Sequence, residues 1–393
     1  MKFNSEHAYK YTEDLSFPRS PGSEGEKQAR DYIIDSFKHK ELDVDIQEFK
    51  FSTFPLSVMA RFFLVLLITM QILMYLCYDR NPLYSVLISF AVVSLIITST
   101  KWRKNYHKLY DVPWKEKTSW NIIARKTKEN ATKNLIFLAH YDSKSQTLPA
   151  FWRATLFGTS LVGSVSLIGL TTLLAIYKFI DWPVPVWDKS LLFYLCIITN
   201  IALFLLQLNK SGNKSPGSLD NASGIGVLLE LAKILPEEMN NTNLTFIATG
   251  AEEDGLCGAV RFMEKEGYKY DKEKTYFINF DGPGAEGNII ITSAYGIPPF
   301  NTGGLLTPLS LKIAKELKYP VTKGYIPLGA GLDQFPVSVY GFPVITVSCG
   351  KLFSKIIFAI HSEYDRMDLI SRHALERAGN LCYKMALEID RYF

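Results

Sequence analysis

Four long apolar runs interrupt an otherwise hydrophilic chain, and they restrict the fold more than any other feature. They cover residues 56–78, 83–100, 154–177 and 190–208. Each holds about 18 to 24 residues, enough for a helix to cross ~30 Å of hydrocarbon at about 1.5 Å per residue. Core helices of a water-soluble protein are the alternative, but these rarely run so long without a charge. Because the runs form two pairs, each joined by a short polar turn, we predict two transmembrane hairpins.

The charged residues beside the runs indicate an orientation. The hairpin tips carry only Arg80, Lys178 and Lys189. Basic residues are frequent at the other ends of the runs, namely Lys50, Arg61, Lys101, Arg103, Lys104, Lys108, Lys144, Arg153, Lys210 and Lys214. Since Lys and Arg favour the cytoplasmic side, we expect a multi-pass protein with four membrane helices and a cytoplasmic hydrophilic domain. Asn-x-Ser/Thr tripeptides would suit a lumenal domain, but so short a pattern is common by chance. Four of these tripeptides begin at Asn130, Asn221, Asn240 and Asn243.

The charge and the cysteines exclude several classes of protein. The formal net charge is only +4, and no run of Lys and Arg mixed with aromatic residues resembles a nucleic-acid footprint. Cys77 and Cys196 fall inside apolar runs, so we expect no disulfide framework, which fits a reducing compartment. The first residues lack the apolar core of a cleaved signal peptide, so we expect the first membrane signal to be internal.

The hydrophilic remainder predicts an α/β fold, with a mixed, largely parallel sheet sandwiched by helices and interrupted by the two hairpins. The predicted helices cover about 23–39, 222–234, 257–266, 305–317 and 372–391. The predicted strands cover 134–139, 244–249, 276–281, 288–292 and 342–348. The hydrophilic domain would comprise residues 1–53, 102–150 and 210–393, and the hairpins residues 54–101 and 151–209.

Histidines and acids cluster at the ends of these predicted elements. The first strand is followed at once by His140 and, two residues later, by Asp142. This spacing suits a metal-binding histidine whose ring is oriented by an acid. Asp220 precedes a predicted helix, where capping is the ordinary role of an aspartate. His361 follows the apolar run 356–360, and a lone histidine in such a position is more often structural.

Acids also follow two further strands. Glu252, Glu253 and Asp254 are adjacent after the strand 244–249, and Asp281 ends the strand 276–281. Clustered acids repel one another in a cleft unless cations or protons neutralise them, although a solvated loop is the alternative. Taken together, these nitrogen and oxygen ligands suit zinc-like ions, at the sheet edge where open α/β sheets form their sites.

The order of the motifs resembles the di-zinc aminopeptidases of metallopeptidase family M28, clan MH. That family's pattern runs His-x-Asp, Asp-Asn-x-x-Gly, Glu-Glu-x-Gly, a later Asp and a final His. This chain has the same order in His140-Tyr141-Asp142, Asp220-Asn221-Ala222-Ser223-Gly224, Glu252-Glu253-Asp254-Gly255, Asp281 and His361. The opening Arg19-Ser20-Pro21-Gly22-Ser23-Glu24-Gly25 is similar too. The resemblance covers most of the hydrophilic chain, and with the hairpins it implies a membrane-anchored member.

The resemblance implies a role for each matched residue. Five side chains would bind two divalent metal ions, most simply zinc: His140 and Asp281 one ion, Glu253 and His361 the other, and Asp220 both. Glu252 would be the general base, and Asp142 would hold His140 in place. The implied reaction is the removal of N-terminal residues from peptides by a metal-activated water.

The chain departs from the family pattern at two places. The second hairpin makes the interval between His140 and Asp220 unusually long, and the first hairpin is a further insertion. The ligands survive both insertions. Asp333 lies where the family often has Ser-Asp-His, but its neighbours are Leu332 and Gln334, so a substrate-binding role for Asp333 stays open.

Three other functions fit part of this pattern. A glutaminyl-cyclase-like zinc transferase shares the fold but works with a single metal. A non-catalytic membrane scaffold with a peptidase fold would have no need of intact ligands. A transporter would require charged or broken membrane helices, and these runs show little of either. The expected partners are a peptide substrate and the lipid bilayer but not nucleic acid, and the sequence leaves open whether the chain forms a homo-oligomer.

Overall fold

The computed structural model describes residues 3–101, 106–327, 331–351 and 354–392, with the side chains of 95–101 and 106–107 outside the description. Arg103 and Lys104, two of the basic residues beside the first hairpin, lie outside the described residues. The chain divides into two compact units. Unit 1 comprises Met1–Phe51, Glu116–Pro149 and Ser211–Phe393, and unit 2 comprises Ser52–Lys115 and Ala150–Lys210.

Unit 1 is built on a nine-stranded sheet, counted over the described residues. Its strands are β1 (Asp43–Ser52), β2 (Glu116–Lys126), β3 (Lys133–His140), β6 (Thr242–Thr249), β7 (Thr275–Phe280), β8 (Asn288–Tyr295), β9 (Phe300–Asn301), β10 (Val321–Ile326) and β11 (Val344–Gly350). Their spatial order is β1-β2-β6-β3-β7-β11-β8-β10, with β9 beside β8. The central strands β6, β3, β7 and β11 are parallel, whereas β2 and β8 pair antiparallel with their neighbours β6 and β11. The predicted mixed, largely parallel sheet is confirmed.

Helices cover both faces of this sheet. They are α1 (Ser5–Asp14), α2 (Glu24–Lys38), α7 (Ser223–Glu238), α8 (Cys257–Glu266), α9 (Leu306–Glu316), α10 (Gln334–Val339), α11 (Ile356–Ala359) and α12 (Arg372–Tyr392). In β3, Leu135 and Phe137 belong to a core shared with α7 and α12, while Ile136 and Leu138 belong to a second core with α8 and α10. This alternation follows from the two-residue period of a strand. The predicted sandwich of the sheet between helices is therefore confirmed.

Several elements escaped the sequence analysis. The helix α1 has only two buried side chains, Ala8 and Thr12, so its apolar periodicity is weak. The strand β2 was also missed, since its buried stretch includes the polar residues Ser119 and Asn121. A short ribbon of β4 (Ser145–Gln146) and β5 (Ser211–Gly212) was not predicted either.

The described part of unit 2 contains four α-helices: α3 (Ala60–Arg80), α4 (Pro82–Lys101), α5 (Ala150–Phe179) and α6 (Asp188–Gln207). Among the described residues, three segments are long and apolar enough to cross a membrane, and these are Pro55–Arg80, Ala150–Phe179 and Asp188–Gln207. The part of α4 with described side chains forms a shorter apolar helix, Pro82–Ser94. Unit 2 extends beyond the predicted hairpin 54–101 as far as Lys115, because the rings of Phe54 and Trp114 pack at a centroid distance of 5.0 Å.

Candidate metal centre

The parallel order of β6, β3 and β7 brings three of the predicted site segments to one edge of the sheet. His140 is the last residue of β3 and lies beside Thr249, the last residue of β6. Glu252 and Glu253 follow Thr249 within four residues. Asp281 follows Phe280, the last residue of β7, which pairs with the residue before His140. The carboxyl ends of adjacent parallel strands therefore deliver one histidine and three carboxylates together.

Asp220 and His361 come from loops outside these strands. Asp220 lies in the turn Ser218–Ala222 that leads into α7. The predicted capping role belongs to its neighbour Asn221, whose Oδ1 accepts the Gly224 N–H at 3.1 Å. Asn221 Oδ1 also accepts the Gly282 N–H at 3.1 Å, so this side chain joins the Asp220 turn to the Asp281 turn. His361 follows the short helix α11, which forms where the sequence shows the apolar run 356–360.

The two oxygens of Asp220 face two different imidazoles. Asp220 Oδ1 lies 3.1 Å from His140 Nε2, and Asp220 Oδ2 lies 3.1 Å from His361 Nε2. His361 Nε2 is also 2.9 Å from Glu253 Oε1, and His140 Nε2 is 3.9 Å from Asp281 Oδ2. The structure thus brings all five predicted ligands into one cluster, with Asp220 between the two histidines.

Two groups of side chains in the described part of the chain could each hold a metal ion. His140, Glu252 and Asp281 form the first group, and Asp220, Glu253 and His361 form the second. Within each group the ligand atoms lie within 4.8 Å of one another. Glu252, predicted as a base and not as a ligand, is thus close enough to the first group to be a ligand. Distance alone does not separate these two roles.

Asp142 supports the acidic loop as well as His140. Its carboxylate accepts the backbone N–H groups of Glu252 and Glu253, each at 3.1 Å. His140 Nδ1 lies 3.2 Å from the backbone oxygen of Asp142 and 3.7 Å from its carboxylate. The Lys144 ammonium donates to the backbone oxygen of Glu253 at 2.5 Å. Asp142 and Lys144 together therefore fix the position of the Glu252–Glu253 pair.

Two supporting residues were not identified from the sequence. The Asp365 carboxylate accepts the N–H groups of Leu219 and Asp220, at 2.7 and 3.1 Å. Its place four residues after His361 is the only signal that could have drawn attention to it. Gln146 Oε1 lies 2.9 Å from His361 Nδ1, and no sequence pattern distinguishes this glutamine from other polar residues.

Three residues in the loops around this site have a strained backbone conformation. Ala251, Leu256 and His361 have φ angles of 52°, 59° and 60°, in the left-handed region that non-glycine residues rarely adopt. Each such residue costs on the order of 1–3 kcal/mol, and residues of this kind cluster at functional sites. The acidic loop and the His361 segment are thus held in conformations that the chain would not adopt without the surrounding contacts.

The charges of the cluster require positive partners. Burial raises the pKa of Glu252 well above its usual range; His140 opposes the shift and Glu253 adds to it. Burial and then the charge of Asp220 raise the pKa of Asp281 to about 7. Burial lowers the pKa of His361, but Glu253 and Asp220 outweigh it and raise the pKa to about 9. The carboxylates therefore outnumber the cations near them and would attract divalent ions strongly.

The residues present fit zinc. Imidazole nitrogens and carboxylate oxygens are its common ligands, and both groups offer one imidazole and two carboxylates. Glu253 Oε1 is buried and makes no hydrogen bond within the described part of the chain, although it lies close to His361 Nε2. A buried carboxylate oxygen of this kind is costly unless a cation contacts it.

Asp333 lies near this cluster in a buried position. Its Oδ2 accepts the Thr249 hydroxyl, and its Oδ1 makes no hydrogen bond to the residues that the structure describes. Burial raises the pKa of Asp333 to about 6, against the effect of His140. These contacts leave the role of Asp333 open, as the sequence did.

The carboxyl edge of the central strands thus carries two groups of side chains with the ligand chemistry of zinc. Residues 207–386 match the model of peptidase family M28. The matched residues make up just under half of the chain, and the match agrees with the resemblance seen in the order of the motifs.

Several known proteins are similar to parts of this chain. Aminopeptidase YwaD of Bacillus subtilis is 39% identical over 67 residues, which are 17% of this chain and 15% of that protein. A vacuolar membrane protease of Schizosaccharomyces japonicus is 37% identical over 75 residues, 19% of this chain and 8% of that protein. The chain therefore matches only a small part of the length of these two relatives. The solved aminopeptidase from Aneurinibacillus sp. strain AM-1 shares the fold, with a TM-score of 0.57 and 15% identity over 98% of this chain and 94% of that one.

Proposed function

We propose that the protein is a membrane-anchored exopeptidase that removes N-terminal residues from peptides at a pair of divalent metal ions, most simply zinc. His140 and Asp281 would hold one ion, Glu253 and His361 the other, and Asp220 both. The observation that carries this proposal is the position of Asp220, whose two oxygens each lie 3.1 Å from a different imidazole. A carboxylate so placed suits a bridge between two ions.

Glu252 is the residue best suited to move protons. Divalent ions bound at such a site lower the pKa of a water molecule and polarise a carbonyl group. A Glu252 carboxylate oxygen would take a proton from the attacking water as the C–O bond forms, and would give it to the amine nitrogen as the peptide C–N bond breaks. The Asp142 carboxylate holds the backbone N–H of Glu252 and so fixes the loop that carries it.

The decisive experiment compares Glu252→Gln with the wild type. We expect the variant to keep its metal ions and to lose turnover by about 10²–10⁴-fold, the usual contribution of a general base. Elemental analysis of the purified protein gives the metal content, and an aminoacyl-anilide assay gives the turnover. Glu129→Gln changes an exposed glutamate on the turn between β2 and β3 and should be neutral in both. If Glu252→Gln lost a metal ion along with its activity, Glu252 would be a ligand and not the base.

The same preparations distinguish the alternatives. We expect two metal ions per chain. Cleavage should require a free N-terminal amine, so a peptide with an acetylated N-terminus should not be cleaved. A glutaminyl-cyclase-like transferase would hold one ion and would cyclise an N-terminal glutamine. A scaffold protein would show neither reaction.

We also propose that unit 2 crosses the membrane with four helices and leaves unit 1 in the cytoplasm, as the distribution of Lys and Arg predicts. Single cysteines at two exposed positions test the orientation. Val186, in the turn between α5 and α6, is 101% exposed, and Tyr268 in unit 1 is 80% exposed. In intact cells a membrane-impermeant maleimide should label Val186→Cys and not Tyr268→Cys, with the unsubstituted protein as background. Labelling of Tyr268→Cys alone would reverse the orientation.

A further inference from the structure

The imidazole of His361 is supported by a residue from a segment that lies far from it in sequence. Gln146 belongs to β4, in the ribbon where Ser145 and Gln146 pair with Gly212 and Ser211. Its backbone N–H donates to the His361 oxygen at 2.8 Å, and its side-chain Oε1 lies 2.9 Å from His361 Nδ1. Gln146 thus contacts both the backbone and the ring of this candidate ligand.

The second contact determines which ring nitrogen carries the proton. A neutral imidazole has one N–H donor and one nitrogen lone pair. When Gln146 Oε1 accepts from Nδ1–H, the lone pair is on Nε2, the nitrogen that faces Asp220 Oδ2 at 3.1 Å and Glu253 Oε1 at 2.9 Å. If the amide group of Gln146 were reversed, its NH₂ group would face Nδ1 and would favour a proton on Nε2, which could then bind no metal.

The backbone of His361 makes this support more important. With φ at 60°, His361 has a backbone conformation that is strained for a non-glycine residue and that persists only where surrounding contacts hold it. His140, by comparison, is fully buried, and its Nδ1 faces a backbone oxygen of its own strand end at 3.2 Å. The two histidines of the site are therefore oriented in different ways, one by the main chain and one by an amide side chain.

We infer that Gln146 is a positioning residue for the metal group of Asp220, Glu253 and His361, and that it acts by accepting the Nδ1–H of His361. The inference rests on the proposed metal centre. It assigns a role to the ribbon residue that precedes α5 by four positions. A side chain that orients a ligand in this way typically contributes 10–100-fold to metal affinity.

Two substitutions of Gln146 distinguish the effect of its acceptor oxygen from the effect of the size of its side chain. Gln146→Leu keeps the backbone contact and removes the acceptor, while Gln146→Glu keeps an acceptor oxygen. We expect Gln146→Leu to bind one of two zinc ions about 10–100-fold more weakly, with the other unchanged, and Gln146→Glu to bind both as the wild type does. Competition with a chromophoric chelator measures both affinities on the full-length protein without reference to activity.

Ser145→Ala is the matched control. Ser145 Oγ accepts the Lys214 N–H at 3.0 Å in the same ribbon and does not contact His361, so its loss should leave both zinc affinities unchanged. Equal weakening of both ions in Gln146→Leu, no weakening at all, or a failure of Gln146→Glu to retain affinity would each overturn the inference while the two-ion site stood. A wild type that bound no zinc would overturn the proposed function, and the inference with it.

Discussion

The two units bury different kinds of polar side chains. Unit 1 buries carboxylates and imidazoles at one sheet edge, where His140 and Glu252 are at most 8% exposed. Unit 2 buries mainly neutral groups between its helices, such as Gln71, Ser164 and Thr199, and leaves large apolar side chains outside. Phe62, for example, is 69% exposed. Buried charge in unit 1 is suited to binding cations, while the neutral polar contacts of unit 2 are suited to packing helices in lipid.

The strongest test of this contrast is the removal of one charge from the centre of unit 1. Asp220→Asn should lose both metal ions and reduce peptidase activity to the assay background, because each imidazole loses the carboxylate that it shares with the other. Metal content per chain and kcat/KM measure the two effects. Asp281→Asn, which leaves Asp220 intact, should lose no more than one ion. Retention of two ions in Asp220→Asn would contradict the bridging role.

A second test concerns a buried acid of unit 1 away from the proposed ligands. Burial raises the pKa of Glu26 from 4.5 to about 8, against the hydrogen bonds from the Ser119 hydroxyl and the Gly22 N–H. The folded state therefore binds this proton more tightly than the unfolded chain does. The resulting stabilisation is complete below the unfolded pKa and is lost as the pH rises toward 8.

Glu26→Gln should remove that pH dependence, because the amide is neutral at every pH. The expected change in slope is at most ~1.4 kcal/mol per pH unit between the two pKa values. Unfolding midpoints in detergent at pH 5 and pH 8 measure it. Glu24→Gln alters an exposed acid of the same helix and should leave the slope as in the wild type. An unchanged slope in Glu26→Gln would show that the buried acid stays charged.

A third test separates stability from function within unit 1. Two aspartates each accept a pair of consecutive backbone N–H groups. Asp365 accepts those of Leu219 and Asp220. Asp390 accepts those of Asn240 and Asn241. Changing either to Asn replaces one acceptor oxygen with an NH₂ group. A buried N–H that loses its acceptor costs about 1–3 kcal/mol, and the cost should be smaller for Asp390→Asn because Asn240 and Asn241 are exposed. Only Asp365→Asn should also lower kcat/KM, by about 10–100-fold, since Asp365 supports a proposed ligand. Equal activity in the two variants would mean that Asp365 is merely a structural cap.

These contacts also show what the sequence could and could not predict. His140 and Asp281 were found because each follows an apolar β-rich run, and the parallel order of such runs places their ends together. Gln146 and Asp365 were not found, because their partners depend on how the loops fold around the sheet edge. The role of Asn221 was missed for the same reason, because capping was considered only for its neighbour Asp220, which the family resemblance then assigned to the metal ions.

The strands of the fold also divide into those that the sequence predicted and those that it did not. Strands with mostly apolar, β-rich runs, such as β3 and β7, were predicted to within one or two residues at either end. β1 was missed because only its second half is buried, so that the strand shows no regular alternation over its length. Local patterns therefore predict the elements with a strong buried face, whereas elements at the edge of the sheet depend on tertiary contacts.

The smallest effect is expected in unit 2, where a neutral contact can be removed. Gln71 Nε2 donates to Ser164 Oγ at 2.7 Å, joining α3 to α5, while Gln71 Oε1 makes no hydrogen bond to the described residues. Hydrogen bonds between membrane helices contribute about 0.6 kcal/mol on average. Gln71→Leu loses that bond but also removes the buried oxygen, so its free energy of unfolding in detergent should change by less than about 1 kcal/mol. Ser164→Ala, which removes only the acceptor and leaves the Gln71 amide buried, should destabilise more than Gln71→Leu. The reverse order, or a loss of several kcal/mol in Gln71→Leu, would mean that Gln71 does more than pack two helices, and that the polar interior of unit 2 resembles that of unit 1.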